Sequence, residues 1–201
     1  MAEVATIVEL NGASGAKTSL ASKVARFANT DDPEPLLNYP CKIPASLFSY
    51  SFRKTHSLHI TGDFNQVSDI YVYGDGTFAA DWSLDAANGG ALRIGHRDTG
   101  DNGLPIDVTL HGTNEYAQAT GDSTSGHAID DPVNGHPFYM SQSTPVLNFD
   151  SCLAGAPCKI DSGPYTEDFY SKAWVMDLKI PPSATYGAKS PKSITVIYNI
   201  F

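Results

Sequence analysis

Charge is scarce in this chain, and what there is leans acidic. Only 17% of the 201 residues are charged, below the roughly 25% of an average globular protein, so Ser, Thr, Asn and Gly carry the polar surface. Lys and Arg number 13 against 22 Asp and Glu, a net charge of -9. Such a field repels phosphate backbones and anionic headgroups, which argues against direct nucleic-acid or membrane-surface binding. Long apolar runs are missing as well: none approaches the roughly 18 residues that span a bilayer. Met1-Ala2-Glu3-Val4 lacks the basic and apolar segments of a secretory signal, which predicts a mature form or a protein not exported by that route.

Cysteine is sparse and odd in number, with Cys41, Cys152 and Cys158; an odd count excludes a fully paired disulfide framework. Cys152 and Cys158 flank the turn-like Leu153-Ala154-Gly155-Ala156-Pro157. In an oxidising compartment they would form a short-loop disulfide, and otherwise they are buried thiols. Metal-binding pairs sit closer, at C-x₂₋₄-C with further ligands nearby, so no zinc site is expected. No repeat of 20–50 residues recurs, which excludes a solenoid or propeller.

What the chain does have is alternation. Runs rich in Val, Ile, Tyr and Thr recur at 4–10, 22–28, 57–61, 67–73, 91–97, 172–180 and 193–200, and each predicts a strand. Gly-Asp-Gly at 74–76, Asn-Gly-Gly at 88–90, Gly-Asp-Asn-Gly at 100–103, Asn-Gly at 134–135 and Pro-Pro at 181–182 supply the turns between them. Only 16–28 has a helical look, which its Ser, Thr and Val content weakens. Strands without crossover helices predict an all-β fold, an antiparallel β-sandwich of jelly-roll type. The organisation expected is an N-terminal strand or arm over 1–40 and a sandwich domain over 41–201. The loop-rich stretch 112–161 is expected to carry long ordered loops used in recognition or assembly. The apolar run Ile197 to Phe201 needs cover from its own sheet or from a neighbouring chain.

The candidate chemistry thins out on inspection. Gly12-Ala13-Ser14-Gly15-Ala16-Lys17-Thr18 has the wrong glycine spacing for a phosphate loop and reads as a turn. Asp98, Asp101, Asn102 and Asp107 offer oxygen ligands of the kind calcium takes, yet the EF-hand interval is absent and a solvated turn explains them. Six histidines, His56, His59, His96, His111, His127 and His136, form no helical ligand pair; His56 and His59 fall on opposite faces of a strand and cannot share an ion. They are expected at the surface or an interface. Asp31-Asp32 and Asp130-Asp131 abut prolines and punctuate turns, and the interval in Gly121 to Gly126 is wrong for a nucleophile elbow. We therefore expect no catalytic, cofactor-binding or metal-binding residues and no enzyme activity. Among aromatics near polar loops, Tyr39, Tyr50, Phe52, Tyr73, Trp82, Tyr116, Tyr139 and Tyr165, most are expected in the core, the rest at a protein or sugar contact.

One resemblance adds to this. Tyr39-Pro40-Cys41-Lys42-Ile43-Pro44, the stretch Tyr50-Ser51-Phe52-Arg53-Lys54 to Ile60, and Val67 to Tyr73 followed by Gly74-Asp75-Gly76-Thr77 form a pattern. With Ala91 to Gly103, Tyr116 to Gly121, Asn134 to Pro137 and the closing Ile194 to Tyr198, that pattern is similar to uncharacterised virion structural proteins of tailed bacteriophages. The likeness spans roughly 39–198 and departs at the Cys152/Cys158 loop and the extra length near 104–112. It implies a β-sandwich virion part of head decoration (cement) type. The partners expected from it are the major capsid protein or copies of the chain itself, as a homo-oligomer, in virions assembled in the host cytoplasm. The alternatives are a carbohydrate-binding adhesin or fibre module, and an extracellular filament subunit that assembles by strand donation.

Overall fold

A computed structural model describes residues 3–10, 17–21, 26–28, 40–51, 54–96 and 148–201. Nearly all of its regular structure is strand, arranged in two antiparallel sheets. The larger sheet contains β1 (Val4–Leu10), β2 (Lys17–Ser19), β3 (Ser49–Tyr50), β4 (Lys54–Thr61), β6 (Ala91–His96), β8 (Phe169–Tyr170) and β9 (Trp174–Ile180), and the smaller runs β10 (Thr195–Ile200), β5 (Val67–Tyr73), β7 (Cys158–Asp161). The only α-helix among the described residues is the single turn α1 (Phe78–Asp81), with 3₁₀ turns at Ala86–Asn88 and Phe149–Ser151.

The expected strands at 4–10 and 67–73 coincide with β1 and β5, and those at 57–61, 91–97, 172–180 and 193–200 overlap β4, β6, β9 and β10. The segment 1–40 supplies β1 and β2 to the larger sheet, and β1 pairs with β4 from Val4↔Thr61 to Leu10↔Thr55. The expected strand at 22–28 differs: 26–28 carry no strand, the sheet takes Lys17–Ser19 instead, and 22–25 lie outside the described residues. Lys17–Ser19 pairs with β1 in the register Leu10↔Lys17 to Val8↔Ser19.

Between the layers lies one apolar core. Leu58 and Ile60 of β4, Leu92 and Ile94 of β6, and Trp174, Met176 and Leu178 of β9 meet Val67, Ile70 and Val72 of β5 and Ile160 of β7. The far face of β9 is buried too, at Val175 (1% exposed) and Asp177 (0%). Strands buried on both faces lose the simple in-out alternation.

Two irregularities shape the sheets. Ser171 interrupts the β8–β9 line opposite β4: its amide donates to Leu58 O, and its Oγ accepts from Leu58 N. A side chain there replaces a missing ladder carbonyl. In the smaller sheet, register shifts occur on both sides of β5 around Asp69, whose φ is 52°. Asp69 accepts from Lys159 Nζ on β7 at 2.7 Å and from Asn199 Nδ2 on β10 at 3.3 Å, so one carboxylate spans all three strands.

Candidate functional site

Two ion pairs are built into the larger sheet. Lys54 Nζ donates to Glu9 Oε1 at 2.8 Å, with both side chains 1% exposed. Arg93 forks onto Asp177, Nε to Oδ1 at 2.8 Å and Nη2 to Oδ2 at 2.5 Å, and its guanidinium lies 4.7 Å from the Tyr50 ring centre. A buried pair of this kind is costly to form and costlier to break, and it fixes which strands lie side by side. Both pairs staple neighbouring strands: Glu9 and Lys54 join β1 to β4, and Arg93 and Asp177 join β6 to β9.

His56 belongs to the first cluster, directly opposite Glu9 in the ladder and stacked on Trp174 with ring centres 5.7 Å apart. The structure differs from the expectation that the histidines lie at the surface or an interface at His56, which is 5% exposed within the sheet beside Trp174. Burial first, and the Lys54 charge second, push its pKa down to about 3. Its Nδ1 is buried without a hydrogen-bond partner among the described residues. His59 stacks on Tyr170 at 4.0 Å, so the two imidazoles do face opposite sides. Cys41 is a free thiol; burial pushes it up to about 12 although Lys54 pulls the other way, so it is not a thiolate nucleophile.

At the end of the smaller sheet lies an open cleft of about 700 Å³, bordered by Tyr73, Asp75, Asp81, Lys192, Ser193 and Thr195. Its organiser is Lys192, on the loop between β9 and β10. The Nζ lies 2.8 Å from Asp75 Oδ2 and 2.5 Å from Thr77 Oγ1, donates also to Asp81 Oδ2, and sits 4.9 Å from the Phe78 ring centre. The lysine side chain is 5% exposed, while Asp75 and Asp81 are 56% and 55% exposed. Hydrogen bonds from Lys192 come first among the causes that hold both carboxyls below the usual carboxylate range. The sequence places these partners more than a hundred residues apart, and no local motif marks them.

The cleft floor is held from behind. Asp150 accepts from the amides of Phe78 (2.7 Å) and Ala79 (3.0 Å) at the start of α1. Phe149, fully buried, packs edge-on against Phe78, and Phe78 against Trp82. Trp82 Nε1 donates to Ser190 O across the cleft at 2.9 Å. Cys152 and Cys158 form a disulfide, the first of the two outcomes their spacing left open.

No known family, curated protein or solved structure matches this chain.

Of the aromatics singled out from sequence, Tyr165 stacks on Phe169 and donates to Asp161 Oδ2 at 2.6 Å, Tyr73 borders the cleft, and Trp82 and Tyr50 are half-buried. Tyr186, 83% exposed, was not among them; it is a lone tyrosine in a Pro/Gly-bounded loop. Outside the described residues lie Gly12 to Ala16, Asp31-Asp32, Tyr39, Phe52, Asp98 to Asp107, His111, Tyr116, Gly121 to Gly126, His127, Asp130-Asp131, His136 and Tyr139. Among the described residues no three His, Cys, Asp or Glu side chains gather as metal ligands, and no helix is long and apolar enough to cross a membrane.

Proposed function

We propose that this chain is a structural part of a tailed-phage virion, a head decoration or cement protein that grips capsid subunits or copies of itself. The observation that carries the reading is where the phage-like motifs fall. Tyr50 to Ile60 spans β3 and β4, Val67 to Thr77 spans β5 and its turn into α1, Ala91 to Gly95 lies in β6, and Ile194 to Tyr198 enters β10. The likeness thus follows the framework strands of both sheets, and it takes in Lys54 and Arg93 of the buried ion pairs and Asp75 and Thr77 beside the cleft. The position of β10 supports it further: among the described residues this strand lies at the edge of its sheet, with Ile197 and Ile200 39% and 40% exposed. Apolar side chains on a sheet edge favour contact with another chain.

Binding that prefers the assembled shell stabilises the shell. Purified virions should therefore contain the polypeptide in fixed ratio to the major capsid protein, and capsids stripped of it should burst at a lower temperature. Virions without it overturn the reading. The cleft favours a second one, a carbohydrate-binding fibre module, because a tyrosine beside exposed carboxylate and hydroxyl groups suits a neutral sugar. Glycan-array binding that Tyr73→Ala abolishes would select that reading, and silence across the array would remove it.

A further inference from the structure

We infer that the Cys152–Cys158 disulfide is a redox-set clamp: oxidised, it holds α1 and the β9–β10 loop in place at the rim of the cleft, and reduced, it releases them. The bond joins the residue after the Phe149–Ser151 turn to the first residue of β7. Four contacts lead outward from this small ring. Cys152 O accepts from Gly74 N at 2.9 Å, which fixes the end of β5. Asp150, two residues before Cys152, accepts the two leading amides of α1. Leu153 lies over Gly76, where an added Cβ would come within 2.7 Å of its Cδ2. Phe149 supports Phe78, the ring beneath the Lys192 ammonium.

Every group that seats Lys192 lies on 75–81, and 74–81 is positioned by 149–153. The hairpin 153–156 closes on itself through Leu153 and Ala156. Besides the disulfide, the segment is tied to the sandwich by the buried Phe149, by the Gly74 N–Cys152 O hydrogen bond and by the β7 ladder through Val72↔Cys158, so the ring sets how firmly these contacts are held. A short ring closed by a disulfide restricts the chain on both sides of it, and opening the ring returns that freedom. The chemistry balances simply. A dithiol reductant such as dithiothreitol gives up two electrons and two protons and becomes its own cyclic disulfide, while the Cys152–Cys158 bond breaks to two thiols. Cys158 is half-buried and Cys152 is fully buried, so exchange starts at Cys158 Sγ.

One use of the clamp rests on the virion reading: the loop would be open in a reducing host cytoplasm during assembly and would lock after release. The clamp itself is tested on the full chain in solution, so its failure and the failure of that reading are separable. Hydrogen exchange is followed on the oxidised chain, the dithiothreitol-reduced chain and the Cys152→Ser/Cys158→Ser variant, each also carrying Cys41→Ser to remove the free thiol. Exchange at Gly74, Phe78 and Ala79 and across 190–195 should rise about tenfold in the two opened forms, with β4 and β9 unchanged. In the oxidised chain, Asp150→Ala should reproduce the rise over 77–82. Faster exchange confined to 152–158, or a uniform rise across both sheets, overturns the clamp.

Discussion

Glu9 and Lys54 show how one pair of charges decides a strand's place. Each side chain is 1% exposed, and Lys54 Nζ donates to Glu9 Oε1 at 2.8 Å, so removing either leaves a charge in the core. Glu9→Ala should lower stability by about 3–5 kcal/mol in urea titration. The double variant Glu9→Leu/Lys54→Met should recover most of that loss, because no lone charge remains. Beside them, His56 gives a pH signature with a definite sign. Its folded pKa, near 3, lies below the ordinary 6.5, so the unfolded chain binds the proton first. Stability is complete above pH 6.5 and falls as pH drops towards 3, by up to about 1.4 kcal/mol per pH unit. Among the described residues Asp69, Asp75, Asp81 and Asp85 have carboxyls held below their ordinary value, and their contribution is lost at lower pH, as pH falls from that ordinary value through the depressed folded one. His56 therefore contributes a slope of this sign between pH 6.5 and 4.5. Replacing His56 by Phe, which keeps the stack on Trp174, should flatten it in unfolding curves taken at pH 7, 6 and 5.

The turn that launches β6 leaves no room for a side chain. A Cβ on Gly90 would stand 1.6 Å from Leu84 O, a backbone atom that cannot swing aside. Gly90→Ala should cost about 3 kcal/mol, read as a lower urea midpoint. The neighbouring Gly89, at φ 85°, ends the preceding 3₁₀ turn in the left-handed conformation that Gly adopts without strain. Such turns were legible in the sequence because glycine leaves a local mark. β5 was legible for a related reason, since Ile70 and Val72 face the core and Tyr71 and Tyr73 are half-exposed, whereas β1 coincides with its run although its burial rises along the strand and does not alternate. β4 begins three residues before its apolar alternation does, since Lys54, Thr55 and His56 are polar and buried. No periodicity announces a polar strand whose charges are neutralised across a ladder. The two-residue β3 and β8 are too short to have a period at all. The cleft was illegible throughout, because Lys192 meets Asp75, Thr77 and Asp81 only after the fold has formed. The cysteine spacing permitted a ring, yet spacing carries no information on oxidation.

On the scale of the molecule, two sheets share one core, and among the described residues neither has a hydrophobic cluster of its own. Trp174 in the larger sheet and Ile70 in the smaller are parts of the same packing unit. Loss of either layer exposes the inner face of the other, so unfolding should be a single event. Far-UV circular dichroism, which follows both sheets, and the fluorescence of Trp82 and Trp174 should give superimposable urea transitions. Separated midpoints would mean that the layers melt independently. The surface around this unit is poor in charge but not neutral, and its excess of anionic groups keeps like copies apart at low ionic strength. Association through the β10 edge should accordingly strengthen as salt is added, with sedimentation velocity as the readout.

The saturated ammonium of Lys192 has a chemical corollary. All three of its protons are donated to Asp75, Thr77 and Asp81, and a nitrogen with no lone pair to offer is a poor nucleophile. Acylating reagents should modify the exposed Lys172 quickly and pass over Lys192 until its loop lifts away. The tryptic mass of the 190–194 region would then report, molecule by molecule, whether that end of the sandwich is shut.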